Sequence, residues 1–303
     1  MNKKRKQHLS ILLITGGAAL LVHLLFRTNL QTSALLYVAI PYLLALLIAA
    51  VRPYKPDTKW YHKYLSFMTT TIVAFLASAL ILMEGFICVI AFMPILLIVV
   101  TLAFITDGLV QIRDKYSTHF SFLLPLIVLV SSLEGTHEDL SFDRKESVTV
   151  THIAPISADA IRQHMSEPME LARPRNWLLQ LFPMPYEIHS EDFHEGAVHT
   201  AKTRYHRWFV TNTHEGEMQL QILELTDNRL RTQVVKDTSH FANYITLKGS
   251  EINWRAIANE RAEVQLTLFY ERDLDPAWYF APLQRYAMEH MAHLLIREVI
   301  TRA

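Results

Sequence analysis

Four histidines lie close together in the second half of the 303-residue chain, at His189, His194, His199 and His206. A metal site requires side chains that converge on one point with a fixed geometry. The segment from His194 to His199 has one residue more than the His-Glu-x-x-His pattern of zinc proteases, and it begins at a predicted turn rather than on a helix. Histidines at the ends of surface strands account for this cluster, so we predict no metal here.

A second pair, His290 and His293, lies beside Glu289 at helical spacing near the C-terminus. Side chains three or four positions apart share one face of a helix, so these groups are placed to chelate an ion or to line a cavity. A solvated flank of the helix explains the same pattern with fewer assumptions. The sequence therefore predicts no metal ligand and no cofactor.

Bulky aromatic side chains are candidates for lining an internal cavity. In the segment Tyr205-His206-Arg207-Trp208, His206 and Trp208 share one face of a predicted strand, and core packing or a surface position is the alternative for each. Core filling and cavity lining both stay open for four further candidates, which are Trp254, Tyr270, Tyr286 and Met291.

No motif in the chain indicates a catalytic nucleophile. There is no Gly-x-Ser-x-Gly pattern and no Gly-rich phosphate loop, and the single cysteine, Cys88, lies in an apolar run. The 29 basic and 29 acidic side chains give a net charge of zero, which argues against a nucleic-acid-binding surface. We predict no catalytic residue, and an enzyme of this sequence would depend on a His, Arg or Tyr held in a cavity as its acid–base group.

The first 133 residues are predicted to form a multi-span membrane anchor, an all-α bundle of about five spans. Apolar runs cover residues 9–26, 34–51, 64–105 and 116–133. As one helix, residues 64–105 would extend about 63 Å, about twice the thickness of a hydrocarbon core. We therefore expect this run to cross twice, with a hairpin at Glu84–Gly85.

The basic residues of the short loops predict the orientation of this anchor. Ten Lys and Arg residues fall on the side of the N-terminus, and Arg27 alone falls on the other side. The positive-inside rule then places the N-terminus in the cytoplasm, with the protein in the plasma (inner) membrane. The soluble domain lies outside the cytoplasm if residues 116–133 cross the bilayer, and inside if they do not.

The polar residues 134–146 are predicted to be a linker, and residues 147–303 an α+β domain. Ser157 is positioned to cap a short helix that ends at Met165, and a second short helix is predicted at 176–182. The alternating pattern then predicts an antiparallel meander with one buried face, including turns at His214–Gly216 and Gly249–Ser250. Its strands are predicted at 147–153, 186–190, 197–211, 217–225, 230–235, 244–247, 252–258 and 263–271.

A long helix is predicted to close the chain, with Asp275 as its N-cap and Pro276 as its first residue. One face carries an apolar stripe, formed by Phe280, Leu283, Ala287, Met291, Leu294 and Leu295. A helix with such a stripe must lie on an apolar surface, and the buried face of the meander is available.

This order of elements resembles the helix-grip fold of the START-like superfamily, also called SRPBCC, which includes polyketide cyclases and lipid-transfer domains. The resemblance covers residues 147–302 and is best at Ala154-Pro155-Ile156 and between Tyr270 and Tyr286. It implies a sheet curved around the long helix and a deep cavity that accepts apolar molecules. The superfamily has no common catalytic motif, so the resemblance implies no active-site residue.

The preferred hypothesis is a membrane-tethered domain that binds, shields or passes an apolar small molecule, lipid- or quinone-like, with the lipid bilayer and this ligand as partners. An enzyme of the cyclase or dehydratase type is the first alternative, and it requires polar groups that converge in the cavity. A membrane sensing or interaction protein without a ligand is the second, and it requires an exposed apolar patch. Protein partners cannot be identified from the sequence.

Overall fold

A computed structural model describes residues 32–51, 58–81, 86–112, 120–167, 169–170, 184–190, 192–208, 211–257 and 260–302. The chain divides into two compact units. The first consists of Met1–Phe142 and Leu274–Tyr279, and the second of Asp143–Asp273 and Phe280–Ala303. The main boundary falls inside the predicted linker, but the return of Leu274–Tyr279 to the first unit was not predicted.

Four helices form the described part of the first unit. They are α1 (Leu35–Val51), α2 (Trp60–Ile81), α3 (Phe86–Ile112) and α4 (Phe120–Ser131). Tyr42, Phe67 and Leu96 are fully buried among them, and the Tyr42 hydroxyl lies 2.8 Å from the Thr106 hydroxyl. Apolar residues thus hold the unit together. Its buried hydroxyls find partners either between helices, as Tyr42 does, or one turn earlier along the chain, as Thr71 and Ser132 do.

The described helices do not support a bundle of five spans. In the part of the chain that the structure describes, only the segment Ala91–Val110 of α3 is long and apolar enough to cross a membrane. Helix α4 has 12 residues and reaches about 18 Å, well short of a hydrocarbon core of about 30 Å. Helix α2 has 22 residues, of which Lys63 and three consecutive threonines from Thr69 are among the polar ones. The predicted span at 9–26 lies outside the described residues.

Eight antiparallel strands form one sheet in the second unit, in the order β1-β8-β7-β6-β5-β4-β3-β2. Strands β2 to β8 each pair with the next strand in the chain, and β1 pairs with β8 at the edge of the sheet. The strands are β1 (Lys145–Ala154), β2 (Met169–Glu170), β3 (Met184–Ser190), β4 (Val198–Trp208), β5 (Thr211–Leu225), β6 (Arg229–Asp237), β7 (Ile245–Ile257) and β8 (Arg261–Arg272). This arrangement confirms the predicted antiparallel meander.

Two helices accompany the sheet, α5 (Ala158–Ser166) and α6 (Ala277–Leu295). The Ser157 side chain accepts a hydrogen bond from the Ala160 N–H at 3.2 Å, which confirms the predicted cap of α5. Helix α6 begins one residue later than predicted. The second short helix, predicted at 176–182, lies outside the described residues.

The buried stripe of the C-terminal helix matches the predicted one only in part. Phe280 and Leu294 are buried, and Met291 and Leu295 pack against the core, as predicted. Four of its five buried residues recur at intervals of four, at Phe280, Gln284, Met288 and Ala292, and the predicted Leu283 is exposed. Met288, Ala292, Ile296 and Ile300 join the core that residues of β1, β7 and β8 form. A sheet covered by a long C-terminal helix fits the helix-grip fold, as the resemblance implied.

Two glycines that were predicted to mark turns lie instead within continuous strands. Gly216 lies in β5 and Gly249 in β7. A Cβ atom on Gly216 would lie 2.4 Å from the Thr238 carbonyl oxygen, and one on Gly249 would lie 2.1 Å from the Thr232 carbonyl oxygen. Both positions need glycine because a neighbouring backbone approaches closely, which is the other common reason for glycine in a strand.

Candidate ligand-binding face

One face of the sheet is apolar, and we call it the inner face. On β1, β7 and β8 it is closed by the core with α6, and its residues there are almost completely buried. Members of this packed region are Val148, Val150, Ile252, Trp254, Val264, Leu266, Leu268 and Tyr270. A cavity of the kind that the resemblance implied therefore has no opening among these side chains.

The inner face continues onto β5 and β6, where it is only half-buried. Met218, Leu220 and Ile222 share this face of β5, as predicted, because side chains alternate along a strand. Ile222 belongs to the packed core, whereas Met218 and Leu220 do not. On the neighbouring strand β6, Val234 pairs with Leu220. We call Met218, Leu220 and Val234 the apolar patch, and it is the part of the face available to an apolar molecule.

The predicted cavity residues have different environments. Trp254 is 2% exposed and Tyr270 1% exposed, so both lie in the packed core. Met291 is half-buried and packs against that core. Tyr286 is 61% exposed on α6, where its ring lies 4.1 Å from the ring of His290. The structure thus places none of these four at the apolar patch.

The side chains of the other two candidates, His206 and Trp208, lie outside the described residues. Their backbones belong to β4 and pair with Thr213 and Thr211 of β5. Along the strand they alternate with Ala201 and Thr203, which are buried, and fall on the same face as Lys202.

Sequence reasoning missed a polar cluster where β6 ends and β7 begins. His240 is buried in a 3₁₀ turn (His240–Asn243), and its ring nitrogens lie 3.3 Å from Asn243 Nδ2 and 3.4 Å from the Tyr244 hydroxyl. The side chain of Gln284, from α6, donates to the Tyr244 carbonyl at 3.0 Å. The alternation of Gln284 with apolar residues at four-residue spacing was the only signal that this glutamine would be buried.

Three polar side chains meet on the inner face at the other end of the packed core. The Tyr270 hydroxyl donates to the Glu146 carboxylate at 3.0 Å, and an Arg285 guanidinium nitrogen lies 3.4 Å from the same carboxylate. Burial raises the pKa of the Tyr270 hydroxyl, and the bond to Glu146 raises it further. The three groups satisfy one another's hydrogen-bonding and charge requirements. The main role of Glu146, paired with Arg285, is therefore to accept the hydrogen bond of the buried Tyr270 hydroxyl.

No group of three or more His, Cys, Asp or Glu side chains is placed to hold a metal ion in the described ranges. His189 lies 3.3 Å from the Glu187 carboxylate, and His199 bonds to the Asp192 carbonyl at 3.1 Å. Burial lowers the pKa of His199. The clustered histidines that the structure describes therefore make separate local contacts.

A shallow groove of about 320 Å³ lies beside strands β3 to β5. Its lining is mostly polar and consists of Tyr186, Lys202, Glu215, Gly216, Glu217 and Thr238. The charges are locally paired, since Lys202 lies 3.0 Å from Glu187 and Lys236 lies 2.6 Å from Glu217. Such exposed pairs contribute little energy and leave no net charge to attract a ligand.

No model of a protein family matches this chain, and no curated protein matches its sequence. Solved structures are similar to it in fold over about half its length. A START superfamily protein from Mycobacterium smegmatis is 15% identical, with a TM-score of 0.35, and the match covers 50% of this chain and 96% of that one. The aromatase/cyclase Zhui from Streptomyces sp. R1128 is 12% identical, with a TM-score of 0.30 and coverages of 50% and 89%.

A norcoclaurine synthase point mutant from Thalictrum flavum is 11% identical, with a TM-score of 0.29 and coverages of 52% and 98%. The identities are too low for a ligand or a reaction to be transferred from these proteins. The fold of the second unit is defined by its own strand order and by the packing of α6.

Proposed function

We propose that the second unit binds an apolar small molecule, lipid- or quinone-like, at the apolar patch. The observation that carries this proposal is the change in burial along one continuous face. The inner face is closed on β1, β7 and β8, yet Met218, Leu220 and Val234 remain half-buried on the neighbouring strands. Burying apolar surface is favourable by about 25 cal/mol per Å², so a guest of lipid size gains several kcal/mol there.

The first unit, in this proposal, holds the binding unit at a lipid bilayer. The span Ala91–Val110 supports membrane attachment, and so do the exposed apolar side chains of α4, which include Leu126, Ile127 and Val130. The surplus of basic residues near the N-terminus favours a cytoplasmic N-terminus and a plasma (inner) membrane location. Attachment keeps the apolar patch near a pool of apolar guests.

Membrane attachment is tested by extracting cell membranes with alkaline carbonate, which releases peripheral proteins. We expect the full chain to stay in the pellet, and release into the supernatant would refute the anchor. A reporter fused to the C-terminus then shows on which side the second unit lies. An extracytoplasmic reporter is expected if residues 116–133 cross the bilayer.

Ligand binding is tested by native mass spectrometry and solvent extraction of the purified full chain. Val234→Gln places an amide in the apolar patch, whereas Val235→Gln makes the same change at the next residue, which is exposed. We expect the first variant to lose the co-purified apolar molecule and the second to keep it. Equal occupancy in the two variants, or an empty wild-type protein, would count against the proposal.

A second candidate function is acid–base catalysis by Tyr270 and Glu146, which the hydrogen bond between their side chains suggests. Tyr270 is 1% exposed and its hydroxyl is already bonded to Glu146, so binding without chemistry is the preferred function. Conversion of the bound molecule by the wild-type chain, abolished in Tyr270→Phe, would reverse this order.

A further inference from the structure

Two almost completely buried side chains at the polar cluster have an oxygen atom that lacks a partner. Gln284 is 5% exposed and Ser239 is 4% exposed. In the part of the chain that the structure describes, neither Gln284 Oε1 nor Ser239 Oγ has a hydrogen-bond partner. A buried polar atom without a partner costs more than a typical hydrogen bond contributes, so each position calls for a group that is polar itself.

Local hydrogen bonds orient the side chain of Gln284 and the backbone of Ser239. Gln284 Nε2 donates to the Tyr244 carbonyl, which commits the amide nitrogen and leaves Oε1 as the free end. The backbone N–H of Ser239 donates to Asp237 Oδ1 at 2.8 Å, which holds the start of the 3₁₀ turn in place. Gln284 Oε1 therefore cannot turn toward solvent without breaking the bond to Tyr244, and Ser239 Oγ is carried by a backbone that is held in place.

This polar segment adjoins the apolar patch. Asp237, two residues before Ser239, pairs with Met218, which is the first residue of the patch on β5. The remaining oxygen of Asp237, Oδ2, is also buried and has no partner among the described residues. The apolar patch thus meets the start of this polar segment where Met218 pairs with Asp237.

We infer that the apolar guest carries a hydroxyl group, which Gln284 and Ser239 receive. Gln284 Oε1 can only accept a hydrogen bond, whereas Ser239 Oγ can donate one, and a hydroxyl does both at a single atom. An anionic head group would instead meet the carboxylate of Asp237, so a fatty acid fits less well than an alcohol. This inference rests on the proposed function, because the apolar patch must hold the body of the same molecule.

The test compares three probes that differ only at the polar end: 1-decanol, 1-methoxydecane and decanoate. Each is titrated by calorimetry into the full chain held in an amphipathic polymer, so that no detergent competes. The ether keeps an acceptor but cannot donate to Gln284, and we expect its Kd to be at least about tenfold higher than that of the alcohol. Decanoate is expected to bind more weakly than the alcohol as well.

Two variants assign the preference to these residues. Gln284→Met keeps the length of the side chain and removes the acceptor, so the alcohol and the ether are expected to bind equally. Gln265→Met makes the same change at an exposed position of β8 and is expected to keep the preference. Ser239→Ala, a smaller change, is expected to reduce the preference and serves if Gln284→Met does not fold, as judged by circular dichroism.

The outcomes separate the two proposals. If alcohol and ether bind the wild-type chain equally, a water molecule satisfies these oxygens and the hydroxyl inference is wrong, while apolar binding stands. If none of the three probes binds, the proposed function itself fails. A preference for the alcohol that survives in both Gln284→Met and Ser239→Ala would refute the assignment to these two residues.

Discussion

The Glu134 carboxylate accepts a hydrogen bond at 2.8 Å from the backbone N–H of Ala277, although 143 residues separate the two. Ala277 is the first residue of α6, and its N–H has no partner within the helix. Glu134 therefore caps the N-terminus of α6, a role that a Ser, Thr or Asp next to the helix has in most helices. Its negative charge also lies at the positive end of the helix dipole.

Removing this cap is expected to destabilise the protein. For Glu134→Ala we expect a loss of about 1–2 kcal/mol in the free energy of unfolding, because a half-buried N–H loses a charged acceptor. Equilibrium urea titration of the purified full chain measures the change. Asp139→Ala, which removes an exposed carboxylate in the same segment, is the control and is expected to change little.

A methyl group on Gly249 is expected to separate two strands. In Gly249→Ala, the new Cβ would lie 2.1 Å from the Thr232 carbonyl oxygen, so β6 and β7 would have to shift, at a cost of about 1–3 kcal/mol. Gly108→Ala is the matched control, because a Cβ there meets no described atom within 4 Å and alanine favours a helix. Similar thermal stability of the two variants would contradict the close strand approach.

Stability at alkaline pH is expected to depend on Tyr270. Its pKa is raised first by burial and then by the bond to Glu146, so the folded protein holds this proton more tightly than the unfolded chain does. This contribution is complete below the unfolded pKa of about 10 and is lost as the pH rises through the folded pKa. The stability advantage of the wild type over Tyr270→Phe should therefore shrink above about pH 10.

The control for this experiment is Tyr286→Phe, which removes an exposed hydroxyl from the same unit. The difference between wild type and this variant should stay constant over the same pH range, measured by urea titration at each pH. A constant difference for Tyr270→Phe as well would mean that its hydroxyl is not protected from ionisation.

The cap of α5 is expected to contribute a smaller amount. Ser157→Ala removes the acceptor of the Ala160 N–H and is expected to cost about 1 kcal/mol. Ser147→Ala, at an exposed position of β1, loses a hydroxyl without a cap and serves as the reference. Urea titration that ranks the two variants in the opposite order would show that the Ser157 cap is not needed.

Local patterns predicted most of the sheet and little of the candidate site. Strand β8 alternates strictly, so its buried residues from Val264 to Tyr270 were predictable. Gly216 and Gly249 were misread because a glycine at a turn and one beneath a neighbouring backbone look alike in sequence. The distinction depends on Thr238 and Thr232, which belong to other strands or connections.

The contacts that define the site depend on distant parts of the chain. Gln284 meets Tyr244 across 40 residues, and no local pattern links them. The stripe on α6 was predicted only in part for the same reason, since both Leu283 and Gln284 are compatible with a helix and only the shape of the sheet selects the one that is buried. Hydrophobicity alone favoured the leucine.

The assignment of Leu274–Tyr279 to the first unit affects the order in which the protein can be made. The ribosome synthesises residues 1–142 first. The same unit also includes Asp275, which is buried, and Tyr279, whose hydroxyl donates to the Ala91 carbonyl. These residues emerge only after all eight strands. The first unit therefore remains incomplete until the whole sheet has been synthesised. The segment that completes it, Leu274–Tyr279, also contains the first residues of α6, the helix that covers the sheet.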